Sequence, residues 1–178
     1  MKQKPGENLR PKDYRRIHGA LGGMILLAGL AFSCAGRAQA AAAPLEVRTF
    51  DDLQGREWIL GEVVTPGGVI SLDREKLTAQ GFGDVFTLRF EGGRYSGTGA
   101  PNHFYGPYGE YEGSLTLSPA AGTLIAPLRE PAELTEGDYL GLLQNASSWE
   151  VRRGRLELRT TGPAGEGVLL VFNLRPGI

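Results

Sequence analysis

A single cysteine among 178 residues, Cys34, cannot form an internal disulfide, and with two histidines the chain cannot build a Cys-rich zinc site. Net charge is also scarce. Nineteen Lys and Arg against 20 Asp and Glu leave a formal charge of −1. A chain this close to neutral lacks the basic excess that holds nucleic acid, so no nucleic-acid partner is expected. Internal repeats are absent, and the one low-complexity stretch is the Ala-rich segment near Ala41. What the chain has in quantity is turn formers: 27 Gly and 11 Pro suit many short strands joined by tight turns rather than a helical bundle. Hydrophobic residues at 41% and charged residues at 22% are those of an ordinary globular protein, and the length fits one domain plus an extra segment.

That extra segment is N-terminal. Before His18, six basic residues (Lys2, Lys4, Arg10, Lys12, Arg15, Arg16) face two acids, Glu7 and Asp13. An uncharged apolar run follows from Gly19 to Gly36, and then Ala38-Gln39-Ala40, a small-x-small end. This is the layout of a bacterial export signal, and the run is short for a permanent span of ~30 Å of hydrocarbon. Two cuts are readable. One releases a soluble chain at Ala41. The other uses Leu30-Ala31-Phe32-Ser33-Cys34, which resembles a lipobox and makes Cys34 a lipid-modified anchor followed by a flexible tether, Ala35 to Pro44. Arg15-Arg16 resembles a twin-arginine signal, although Ile17-His18-Gly19-Ala20 matches that motif poorly. Residues 1–40 are therefore assigned as export signal, 41–52 as tether and 53–174 as the folded domain. The expected location is the bacterial envelope, periplasmic and either soluble or lipid-anchored.

From Leu45 onward the apolar pattern is mainly of period two. Glu57 to Val64 reads as a buried strand ended by Thr65-Pro66-Gly67-Gly68. Asp84 to Phe90 alternates, with Phe86, Leu88 and Phe90 on one face, and Glu91-Gly92-Gly93-Arg94 turns it into the next strand. Leu115 with Leu117, Trp149 with Val151, and Leu156 with Leu158 repeat the alternation, and Arg152, Arg153 and Arg155 surround a turn at Gly154. Gly167 to Phe172 is continuously apolar, as in a strand buried on both faces or closing a barrel. Pro131 to Asn145 breaks the pattern: Pro at a first helical position, early acids, and Tyr139, Leu140 and Leu143 at helical spacing predict one helix. The fold class is mainly β or α+β, a small antiparallel sheet or cracked β-barrel interrupted by that helix at about 131–145.

Several phrases from Leu45 to Phe172 resemble the META domain, the HslJ-like exported proteins of bacteria. They are Leu53-Gln54-Gly55-Arg56-Glu57-Trp58-Ile59-Leu60; the Gly-rich turn Ser96-Gly97-Thr98-Gly99-Ala100-Pro101-Asn102-His103-Phe104-Tyr105-Gly106-Pro107-Tyr108; Thr123-Leu124-Ile125-Ala126-Pro127; and Glu136-Gly137-Asp138-Tyr139-Leu140-Gly141-Leu142-Leu143. The resemblance implies a signature loop carried by Gly97, Gly99, Asn102, His103, Phe104, Gly106 and Tyr108. It further implies a stress-related envelope protein with no established reaction. Where family members carry two cysteines, this chain has Pro101 and Pro127, so the disulfide that the resemblance implies is replaced at both ends together.

The chemistry is sparse. His103 is the lone His after the export segment, with no Ser or Cys in an elbow motif and no second His for a metal pair, so it reads as a loop residue; the enzymatic alternative is a hydrolase using His103 with Asn102 and a carboxylate such as Glu136. Asn102 reads as a hydrogen-bonder to backbone. Glu130, Glu133, Glu136 and Asp138 lack calcium-loop spacing and fit the start of a helix. Tyr95, Phe104, Tyr105, Tyr108 and Tyr111 read as core and loop packing. No cofactor and no metal are expected, and the partner is an unidentified envelope protein or an apolar ligand. A ligand carrier needs an open barrel interior lined by residues such as Phe86, Leu88, Leu115, Leu156 and Leu170, whereas an interaction module fills its interior and works from outside.

Overall fold

In the computed structural model of the chain, residues 47–175 are described; the export segment and Cys34 lie outside them. A single 3-10 turn, Phe50–Leu53, precedes ten strands and two helices. The strands are β1 (Glu57–Thr65), β2 (Gly68–Ser71), β3 (Thr87–Glu91), β4 (Arg94–Thr98), β5 (His103–Tyr111), β6 (Ser114–Leu117), β7 (Ala121–Gly122), β8 (Ser148–Arg152), β9 (Arg155–Thr161) and β10 (Gly167–Leu174). Helix α1 spans Arg74–Ala79 and α2 spans Glu136–Gln144.

Tight turns fix the hairpins. Gly92 and Gly93 take φ of 57° and 78°, and Arg153 and Gly154 take 53° and 76°, the paired left-handed conformations whose twist matches the flanking strands. The continuous apolar run of β10 does what its composition suggests: it pairs with β9 on one side and β1 on the other, so Phe172 lies opposite both Leu156 and Leu60. That pairing closes an antiparallel barrel of eight strands. Strand β2 hangs on β1 and β7 on β5. The seam between β6 and β8 rests on one residue pair, Ser114 with Ser148, which is where the barrel is cracked.

Both ends of the barrel are covered. At one, Phe50 stacks edge-on to Phe90 and Trp149 and tilts against Tyr108, with ring centroids about 5 Å apart. Phe50 thus belongs to the core although it falls within the stretch assigned as tether. At the other end, α2 lies over the strand termini. Its Tyr139 hydroxyl donates to Thr87 O at 2.8 Å, and Thr160 Oγ1 donates to Leu142 O at 2.6 Å. The core between them contains Trp58, Leu60, Phe86, Leu88, Phe90 and Tyr95, each fully buried. Each such side chain contributes roughly 1.5–3 kcal/mol on burial.

Three local readings need correction. The helix begins after Thr135, not at Pro131, because the Thr135 hydroxyl accepts from the Asp138 amide at 3.1 Å and donates to the Asp138 carboxylate at 2.7 Å. Strand β3 begins at Thr87, because Phe86 sits at φ 58° and leaves the extended region, and Thr87 is itself buried. A second helix, α1, is also present; it is six residues long, capped by Asp73, and buries only Leu77.

Candidate functional site

The signature loop joins β4 to β5, and its residues divide between two environments. Along β5, Phe104, Gly106 and Tyr108 alternate inward while His103 and Tyr105 face solvent. Phe104 packs near Tyr95 and Tyr139, with centroids 6.1 and 5.9 Å away, and Tyr108 packs on Phe50 and Phe90. The glycines make room for these rings. A Cβ at Gly97 would stand 2.0 Å from Thr87 O and 2.6 Å from Phe104 Cζ, and one at Gly106 would stand 2.7 Å from the Tyr95 ring. Tyr95 is held in turn by its hydroxyl on Ser118 O at 2.5 Å, and burial pushes its ionisation above the ordinary tyrosine range. Tyr105 and Tyr111 depart from the packing expectation: they are 49% and 73% exposed, and Tyr105 carries Arg94 over its ring.

Asn102 and Glu136 form the polar centre. Glu136 Oε2 accepts from the amides of Ala100 at 2.7 Å and Asn102 at 2.9 Å, and Oε1 accepts from Asn102 Nδ2 at 2.9 Å. Asn102 uses the rest of its side chain on a segment more than twenty residues away. Its Oδ1 accepts from Ile125 N at 2.7 Å and from Thr123 Oγ1 at 2.8 Å, and its Nδ2 donates to Ile125 O at 3.0 Å. A primary amide mimics a strand neighbour here, pairing with both polar groups of one backbone unit. Gly99 lies beneath: a Cβ there would come 2.7 Å from Glu136 Cγ. Helix, signature loop and the segment after β7 are thus clasped together by one buried amide and one carboxylate.

His103 is outside this clasp. Its Nδ1 lies 3.1 Å from Thr98 Oγ1 on the exposed face of the sheet. The structure therefore gives Glu136 to Asn102, not to His103. The other acids have separate partners: Glu133 pairs with Lys76, Asp138 accepts from the Thr135 hydroxyl, and Glu130 accepts from Glu136 N. The Lys76 ammonium holds the Glu133 carboxyl below its ordinary range. Among the described residues no group of three or more His, Cys, Asp or Glu is placed to hold a metal ion, and no helix is long and apolar enough to cross a membrane.

A family model of the META domain matches residues 51–174. The chain belongs to the META domain family. No curated protein matches it significantly. Among solved structures it is similar to a protein from Burkholderia xenovorans studied by NMR, with a TM-score of 0.51 and 20% identity over 70% of this chain and 85% of that one. It is also similar to a DUF4847 family protein from Bacteroides vulgatus, with a TM-score of 0.46 and 13% identity over 72% of this chain and 98% of that one. The Burkholderia likeness is one of fold alone.

Within the META domain, Asn102 reaches Thr123 and Ile125, so the signature loop and the segment after β7 are held together. Sequence reasoning found Asn102 and its preference for backbone but missed these distant partners. It also missed the exposure of the segment they hold. Leu124 and Leu128 are fully exposed and Ile125 is 59% exposed. By contrast, Phe86, Leu88, Leu115, Leu156 and Leu170 are buried in the common core cluster.

Proposed function

We propose that this is an exported, stress-related envelope protein that works by binding rather than by catalysis, and that it meets a protein partner through the segment from Thr123 to Arg129. The observation that carries the reading is the Asn102–Glu136 clasp. It spends the one carboxylate at the signature loop on three hydrogen bonds, and it grips the Ile125 backbone while Leu124, Ile125 and Leu128 point outward. Holding apolar side chains in water opposes the hydrophobic effect, and fixing the backbone beneath them lowers the ordering cost of a later contact. The basic, then apolar, then small-residue layout of residues 1–40 supports the envelope location.

Two measurements test this. A photo-crosslinking residue at Leu124, in cells, should give discrete adducts that unlabelled protein competes away, in excess of those from the same residue at Arg153. Equal labelling at the two positions would overturn the partner reading. Mass spectrometry of the mature chain should find a lipid-modified Cys34 or a start at Ala41; an intact Met1 terminus would overturn export.

A further inference from the structure

Helix α2 carries two glycines, Gly137 in its first turn and Gly141 in its interior, one turn apart on one face. Glycine inside a helix is about as costly as any residue except proline, so each needs a reason. Packing supplies none. A Cβ at Gly141 would meet nothing within 4 Å, and one at Gly137 would meet only Thr135 Oγ1, at an ordinary contact distance of 3.9 Å. Neither glycine has a left-handed φ. What they border is a groove of about 390 Å³ at the helix-covered mouth of the barrel.

The groove is apolar within and acidic around. Val63, Ile70, Leu134, Leu142, Pro163 and Val168 supply the apolar lining, and Glu133, Asp138 and Glu166 are its charged residues, with no Lys or Arg among the described residues that line it. The volume lies at the small end of the ~300–1,000 Å³ usual for ligand sites, and barrel mouths are a recurrent place for them. The carboxylates are only partly neutralised. Glu133 pairs with Lys76 through one oxygen, and its other oxygen, Oε2, is shielded from solvent without a hydrogen-bond partner among the described residues. Asp138 bonds the neutral Thr135, and Glu166 accepts from the Ala164 amide; neither is in an ion pair among the described residues.

We infer that this groove binds a small aliphatic cation, an alkyl chain ending in an ammonium or guanidinium, and that Gly137 and Gly141 are kept small to leave space for the chain. The alkyl part covers Val63, Leu142 and Val168, and the cation meets Asp138 and Glu166. This site is separate from the Thr123–Arg129 segment and does not depend on that segment contacting a protein.

The test is a methyl-resolved NMR titration of the full chain with octylammonium, octanol and octanoate. Octylammonium should shift the methyls of Val63, Ile70, Leu142 and Val168 saturably. It should bind about three- to tenfold more tightly than octanol, as expected for partly exposed charge pairs, with octanoate weakest. Gly141→Leu should fill the groove and weaken octylammonium binding about tenfold or more. Gly141→Ala should melt roughly 3–6 °C higher than wild type, through better helix propensity, while binding less tightly, and it serves as the test should the leucine variant fail to fold. Octanoate binding as tightly as octylammonium would overturn the charge assignment. Unchanged affinity in both Gly141 variants would overturn the site, and no saturable shift with any probe would overturn the inference whole.

Discussion

Replacing Asn102 with alanine removes four side-chain hydrogen bonds at once, to Glu136 Oε1, Ile125 O, Ile125 N and Thr123 Oγ1, all between 2.7 and 3.0 Å. Neutral bonds of this kind are each worth about 1 kcal/mol net and a bond to a carboxylate about 2, with water able to replace part of the loss because the surroundings are only part-buried. The expected cost is therefore about 3–4 kcal/mol, which lowers the melting temperature of a domain this size by roughly 12–15 °C. Asn102→Asp keeps the shape and inverts the logic. The introduced carboxylate puts an oxygen where Nδ2 now sits, 2.9 Å from Glu136 Oε1. Two carboxylates this close hold a proton more tightly in the folded than in the unfolded state. The aspartate variant's deficit should therefore shrink as pH falls from 7 towards the carboxylate range and grow as pH rises again, whereas the alanine variant's deficit should not follow that titration. Urea unfolding followed by tryptophan fluorescence reads both, since Trp58 is fully buried. An alanine variant within about 1 kcal/mol of wild type, or an aspartate deficit that is flat between pH 7 and 5, would refute the clasp.

Gly97→Ala should cost about 3 kcal/mol or more in the same assay, because the added methyl meets the Thr87 carbonyl at 2.0 Å, backbone that cannot yield without disturbing the β3–β4 ladder. His103→Ala, which removes one exposed contact to Thr98, should change stability by no more than about 0.5 kcal/mol. In acid, Asp52 is held low first by the Arg48 amide, Glu133 by Lys76 and Glu150 by Arg152. Carboxyls depressed in the folded state stabilise it above the ordinary range and lose that contribution as pH falls through their folded values, so wild-type stability should decline below about pH 4. Glu133→Gln should blunt part of that decline in urea midpoints measured from pH 5 to 2.

Strands and turns were legible because their causes are local. The period-two faces, the Gly92-Gly93 and Arg153-Gly154 turns and the unbroken apolar β10 all act within a few residues, and together they imply an antiparallel barrel. Errors arose where a distant contact overrode a local preference. Phe86 leaves its strand to meet the Tyr139 ring edge-on at 5.2 Å, a contact between elements more than fifty residues apart. Pro131 looked like a helix start, but the Thr135 hydroxyl is the group that satisfies a first-turn amide. The site was legible only as an inventory. Asn102 was marked as a bonder of backbone, yet nothing in the Thr123–Ile125 phrase announces that it offers both of its polar groups to an amide twenty-three residues earlier. The resemblance linked the two phrases through cysteines that this chain lacks, and a hydrogen-bonded link between them was the signal available. The groove was not legible at all, since Gly137 and Gly141 gain meaning only from the open space beside them.

The central claim is that the signature residues form a clasp holding an exposed apolar segment in place. Residue-resolved amide exchange in wild type, Asn102→Ala and His103→Ala tests it most directly. Loss of about 3 kcal/mol of local stability corresponds to roughly a hundredfold faster exchange. The Ile125 and Ala100 amides should show that acceleration in Asn102→Ala, beyond any change at Phe172 in β10, and less than about twofold in His103→Ala. Ile125 and Ala100 exchanging at wild-type rates in Asn102→Ala would contradict the account.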